Sequence, residues 1–187
     1  MLSEYWPYWE EAIQREFSGL SSHNTWETTK CPKGVKPVGC RWIFTIKQNP
    51  DGSINKFKAR LVLQGFSQRA GRDYDPNDVF APVLRHTMLL LLIAIAVVYK
   101  LNISDLDVSN AYLNAEMKEE VYMKQPPGLE QKDKYGNIIP GLACLVKRCI
   151  YGAKQSAHHW NTTFTKALTD FGLVQSASDP CLFYSLT

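Results

Sequence analysis

Apolar side chains recur along this chain at two periods, and the switches between them mark its elements. In residues 9–20 Trp9, Ile13, Phe17 and Leu20 share one helical face, and "SSHNTW" then supplies turn and capping residues that end the helix. Trp42, Phe44 and Ile46 alternate, "NPDG" follows, and a second arm runs to Gly65, which predicts a β-hairpin. In that second arm Lys56, Lys58 and Arg60 fall at period two, so one strand face carries three cations. "GRDYDPNDVFAPV" reads as an irregular connection. The run "MLLLLIAIAVVY", residues 88–99, is too short to span a bilayer and predicts a buried core helix. "LNISDLDV" predicts a strand ending near Asp107, "SNAYLNAEM" a short helix or turn, and "EVYMKQ" a strand closed by Pro126-Pro127-Gly128. "ACLVKRCIYGAKQ" is strand-like and leads into a helix whose Trp160, Phe164, Leu168 and Phe171 form one stripe, expected to be core. "SDPCLFYSLT" reads as a further strand. Helices and strands are intermixed, so the expected class is α+β.

Composition narrows this picture only slightly. The 187 residues suffice for one sizeable domain or most of a larger one, and 45% hydrophobic with 21% charged residues is ordinary for a globular chain. Five cysteines, odd in number and without a CxxC pair, exclude a zinc ribbon and a disulfide scaffold and predict a reducing, intracellular setting. "MLSEYWPYWEEAIQREF" has acids and no apolar stretch, so no secretory signal is expected there. Charge changes the picture more. Between Arg41 and Arg72 seven basic residues face one acid, a net +6 within a chain of +3. A polyanionic partner and a merely solvated charged hairpin both account for that asymmetry.

Two constellations carry candidate chemistry. The cations of the predicted second hairpin arm suit a triphosphate or a nucleic-acid backbone, with Arg60 able to grip phosphate bidentately. Asp107, at a predicted strand terminus before a turn with free amides, suits Mg²⁺ beside phosphate oxygens. Asp105 would point to the same side, which leaves open a second ligand and a D-x-D phosphotransferase; a plain turn-initiating Asp is the bland alternative. His158 and His159 are adjacent and lack metal spacing. No G-x-S-x-G elbow, P-loop or dinucleotide fingerprint occurs.

Four longer motifs appear together: Lys58-Ala-Arg-Leu-Val62, Asp107-Val-Ser-Asn-Ala-Tyr-Leu113, Glu119-Glu-Val-Tyr-Met-Lys-Gln-Pro-Pro-Gly128 and Tyr151-Gly-Ala-Lys-Gln155. Their order and spacing, from about Trp9 to the last residue, resemble the reverse transcriptase domain of copia-type (pseudoviral) LTR retrotransposons. The resemblance implies a right-hand polymerase: residues 1 to about 90 fingers-like, and about 91–187 partial palm interleaved with fingers elements. Asp107 would be the first catalytic carboxylate, with the Val108 carbonyl assisting at Mg²⁺ or Mn²⁺. Tyr112 would be the steric gate against ribonucleotides, the amides of Asn110 and Ala111 would face the triphosphate, Lys58 and Arg60 would grip it, and Gln155 would lie against the incoming nucleotide. Asp105 becomes a structural or solvent-facing neighbour. The implied partners are dNTPs and an RNA or DNA template with its primer, together with the integrase and RNase H parts of one polyprotein. The implied setting is cytoplasmic, including virus-like particles, with no membrane.

Two-metal phosphoryl transfer needs more than one carboxylate. The family takes the other two from a Y-x-D-D hairpin, and no Asp-Asp pair occurs in these 187 residues. The expectation is therefore RNA-directed DNA polymerase chemistry by descent without activity for this stretch alone, the alternative being a non-catalytic nucleic-acid-binding remnant. Ala153 replaces a usual core leucine, while His158 and Leu89 stand where the family often has Arg.

Overall fold

The computed structural model describes residues 4–185, a mixed α+β arrangement of three helices and small antiparallel sheets. Helix α1 (Trp6–Ser22) starts with Pro7 in its first turn, where a missing N–H costs nothing. It buries Ala12 and Leu20. Trp9 sets its ring edge against Phe44 and Phe57, at 5.1 and 4.6 Å between centroids, and Tyr8 stacks on Phe57 at 5.2 Å. These aromatic contacts fasten the helix to the hairpin of β2 (Cys40–Gln48) and β3 (Ile54–Leu63). The hairpin register pairs Ile43 with Arg60, Thr45 with Lys58 and Lys47 with Lys56, so the cations do share one face, opposite the apolar face bearing Phe44 and Phe57. Gly52, at φ +84°, makes the turn that "NPDG" predicts.

A second sheet has the order β1 (Trp26–Lys30), β5 (Leu142–Val146), β4 (Tyr122–Met123). It joins the hairpin's lead-in through Val38, whose N–H donates to the Tyr122 carbonyl and whose carbonyl accepts from the Lys124 N–H, both at 2.8 Å. Between the sheets lies one core that includes Leu20, Leu61, Leu63, Leu113, Val121, Met123 and Ile150. Ala153, the replaced leucine position, is buried at its edge. Helix α3 (Ser156–Asp170) enters this core with Ser156 and His159, and a two-stranded ladder of β6 (Val174–Gln175) and β7 (Phe183–Tyr184) follows. The predicted final strand is thus present in part; its last two residues lie outside the described range.

Three expectations are corrected. Helix α2 (His86–Val98) forms but is not buried: among its residues only Ala96 is, while Val98 is 72% exposed. A helix apolar on every side needs neighbours on every side, and the described residues do not surround it. The predicted strand at 101–108 is irregular and exposed throughout, with Leu106 92% exposed. No described strand pairs with it, so neither ladder hydrogen bonds nor burial offset the entropy of extending it. The α3 stripe is core only in part: Trp160 packs against the core and Leu168 is half-buried, but Phe164, stacked on Trp160 at 5.2 Å, is exposed, and Phe171, just past the helix, is 84% exposed. Full burial on α3 belongs instead to its polar N-terminal turn.

Candidate functional site

Strand β3 positions the first half of the site. Its Lys56, Lys58 and Arg60 border a cavity of about 470 Å³, together with Ala12, Arg15 and Glu16 of α1, residues Asp107–Asn110, and Tyr151. The cavity thus brings together two stretches that the sequence pattern singles out separately, the basic arm and Asp107. Lys58 and Arg60 also border a neighbouring hollow of about 320 Å³ on the cationic face, with Ile43, Thr45, Lys47, Val62, Tyr151 and Gly152. Partial burial, then the charges of Arg60 and Lys47, hold the Lys58 ammonium below its usual range. Each cation there repels the next, and an anion between them would relieve that repulsion. Burial pushes the Glu16 carboxyl up, opposed by the Leu61 N–H and by the charges of Arg60 and Lys58. The α1 carboxylate is therefore part of the same electrostatic cluster.

Tyr151 is the residue that sequence reasoning missed. The Arg60 guanidinium lies over its ring at 4.7 Å, and the Tyr112 ring packs against it at a tilt, also at 4.7 Å between centroids. The backbone of the Tyr151-Gly152 pair is what docks β3 here: the Leu63 N–H donates to the Tyr151 carbonyl at 2.8 Å. Gly152, at φ +89°, presses so close to the Leu63 carbonyl that a Cβ would collide with it. The signal was present as the opening Tyr-Gly of the fourth motif, but no periodicity says which end of a loop motif faces a cavity.

Asp107 and Val108 reach the cavity on the exposed irregular segment, and Asn110 reaches it from a left-handed conformation, φ +52°. Ala111 opens a 3₁₀ turn, Ala111–Asn114, and Tyr112 is half-buried behind Tyr151 rather than on the cavity wall. Asp105 is exposed and does not border the cavity. One carboxylate with an adjacent carbonyl is oxygen ligation of the kind Mg²⁺ takes when phosphates complete its shell. Among the described residues no three His, Cys, Asp or Glu side chains converge as a preformed cage.

Gln155 is not brought to the cavity. It is fully buried, and its Nε2 donates to the Asp73 carbonyl at 2.8 Å and to Glu119 Oε2 at 3.1 Å, while its Oε1 accepts from Gln68 Nε2 at 3.0 Å. His159 Nε2 lies 3.1 Å from the same Glu119 oxygen, and the Lys154 N–H donates to Gln68 Oε1 at 2.9 Å. Burial pushes the Glu119 carboxyl up, but hydrogen bonds from His159 and Gln155 outweigh it and leave that carboxyl below its usual range. This network ties α3 to the 68–73 loop and to residue 119, behind the cavity wall. His158, where the family often has Arg, places Nδ1 2.8 Å from the Phe80 carbonyl.

Comparison with known proteins bears on the family. A family model described as reverse transcriptase (RNA-dependent DNA polymerase) matches residues 23–186. The chain is 40% identical over 176 residues to the retrovirus-related Pol polyprotein from transposon RE2 of Arabidopsis thaliana, covering 94% of this chain and 12% of that protein. It is 39% identical over 176 residues to the corresponding polyprotein from transposon RE1 of the same plant, again covering 94% and 12%. Against the polyprotein from transposon TNT 1-94 of Nicotiana tabacum it is 32% identical over 174 residues, covering 93% and 13%. The chain thus spans about an eighth of the length of these relatives. No solved structure matches it.

Proposed function

The chain belongs to the reverse transcriptase (RNA-dependent DNA polymerase) family, and from that premise we propose that its cavity is the nucleoside-triphosphate seat of an RNA-directed DNA polymerase encoded by a copia-type element. In this reading residues 1 to about 90 are fingers-like and the remainder partial palm. One observation carries it: Lys58 and Arg60 face the same cavity as Asp107, Val108 and Asn110. Lys58 and Arg60 grip the β- and γ-phosphates, Arg60 as a planar fork held flat by Tyr151. The amides of Asn110 and Ala111 meet the remaining phosphate oxygens. Tyr112 lies behind the cavity wall and packs on Tyr151, so it would limit room at the sugar 2′-position through that ring. Gln155 acts from behind, fixing the loop that presents Tyr151. The Asp107 carboxylate and the Val108 carbonyl would hold Mg²⁺ or Mn²⁺, which when bound supplies charge stabilisation for phosphoryl transfer. The implied partners are dNTPs, a primed RNA or DNA template, and other parts of the polyprotein.

Calorimetric titration of the chain with dATP and Mg²⁺ tests this. Arg60→Ala is expected to weaken binding about tenfold or more, since a charge-assisted phosphate contact is worth about 1.5–3 kcal/mol. Unchanged affinity in that variant would refute the assignment. A second reading, nucleic-acid binding without synthesis, is favoured by one feature: besides Asp107, the cavity's one carboxylate among the described residues is Glu16, engaged with the Leu61 N–H. Primer extension by this chain, abolished in Asp107→Asn, would exclude it.

A further inference from the structure

Ala12, Glu16 and Leu20 follow one another at four-residue spacing along α1, so they share one face of the helix, and Ala12 and Leu20 are buried on it. A carboxylate between two buried apolar residues is costly unless something opposite favours its charge. Strand β3 lies opposite. Glu16 borders the cavity with Lys56, Lys58 and Arg60. Burial there raises the carboxyl's affinity for a proton, and the Leu61 N–H and then the charges of Arg60 and Lys58 oppose it. Among the described residues no direct ion pair joins Glu16 to Lys58 or Arg60, so the attraction acts across the cavity and leaves the space between them open. The other titratable groups on the wall are Arg15, paired with Glu11 at 2.6 Å, Tyr151, and the exposed Asp107. Glu16 is the half-buried carboxylate of this set, and the triphosphate reading gives it no task.

We propose that Glu16 is the resident counter-anion of the empty cavity and yields to the incoming triphosphate by taking up a proton from solvent. The proposal rests on the triphosphate reading above. In the empty cavity Glu16 offsets the mutual repulsion of Lys58 and Arg60. A triphosphate brings several negative charges to the same two cations. The charges that favoured an ionised Glu16 are then neutralised, while the burial that disfavours it remains. Protonation removes the repulsion without moving α1. The carboxylic acid keeps an oxygen that accepts from the Leu61 N–H and gains an O–H able to donate to a phosphate oxygen. A fastening of α1 to β3 through that N–H would be served equally well by a glutamine. Only an ionisable group makes triphosphate affinity depend on pH at this position.

The test is calorimetric titration with dATP and excess Mg²⁺ between about pH 8 and about pH 5, for the parent chain and Glu16→Gln, in two buffers of different ionisation enthalpy. At the alkaline end the variant is expected to bind about fivefold more tightly, because one repulsive charge is gone. The Glu16 carboxyl lies above its usual range in the empty cavity and rises further with triphosphate bound. Parent affinity therefore climbs as pH falls through that window, and the two proteins converge below it. Within the window the parent takes up more protons per bound dATP than the variant; contributions from Lys58 and from the phosphates are common to both and cancel. Equal or weaker binding by Glu16→Gln at every pH, or equal proton uptake, would overturn the proposal and leave Glu16 a fastening between α1 and β3. If thermal melts show that Glu16→Gln does not fold, the parent alone decides: net proton uptake on binding near the acidic end supports the proposal, and no uptake overturns it. Failure of the triphosphate assignment is read separately. If Arg60→Ala binds dATP as the parent does, that reading falls whatever Glu16→Gln shows, and this proposal falls with it.

Discussion

The two halves of the cavity are built by opposite means. The β3 side stands on a closed core: Leu61 and Leu63 are buried, Tyr151 is docked by the backbone hydrogen bond from Leu63, and the Gln155 amide is held by Asp73, Glu119 and Gln68. The Asp107 side hangs on an exposed segment whose Leu101, Ile103 and Leu106 cover nothing, next to a helix whose apolar residues are mostly exposed. The cations proposed to grip phosphate are thus preorganised, whereas Asp107, the carboxylate proposed to hold the metal, is presented on a stretch held by few contacts. Preorganisation in a site comes from the packing behind it, not from the identity of the reactive group.

Substitutions on the two sides should separate them. Leu61→Ala, on the built side, is expected to cost about 2–5 kcal/mol in urea denaturation, whereas Leu106→Ala should stay within about 0.5 kcal/mol of the parent. Equal effects would erase the contrast. Gln155→Ala, which strips Glu119 and Gln68 of a buried partner, should cost about 1–3 kcal/mol and lower dATP affinity only through the displaced Tyr151. A smaller effect is expected with pH. Asp73 and Glu119 both lie below their usual carboxyl range, after burial is outweighed by Arg72 and the Arg69 N–H in one case and by His159 and Gln155 in the other. A depressed carboxyl contributes stability above its unfolded value, about pH 4, and loses it as pH falls through the folded value. Thermal melts should therefore drop in that acidic window, and Glu119→Gln should flatten the drop.

The same contrast explains what was legible in the sequence. The hairpin and its cationic face follow from local alternation around "NPDG", which sets Lys56, Lys58 and Arg60 on one face. The family was legible because its motifs are long. Burial was not: the 88–99 run and "LNISDLDV" have core-like patterns, but a pattern states which side chains seek cover and not whether neighbours provide it. Gln155, expected against the nucleotide, is buried away from the cavity, and Tyr151 borders it instead, for a related reason. Gly152's positive φ and its contact with β3 decide which end of Tyr-Gly-Ala-Lys-Gln faces the cavity, and that contact lies about ninety residues away in sequence.

The most direct measurement is dATP affinity with and without Mg²⁺ for the parent chain and Asp107→Asn, a change that leaves the core untouched. The account predicts that Mg²⁺ strengthens binding in the parent and that this gain disappears in the variant, while the Mg²⁺-independent affinity supplied by Lys58 and Arg60 persists. An undiminished Mg²⁺ effect in Asp107→Asn would contradict it, because Asp107 and the β3 cations would then not share one triphosphate site.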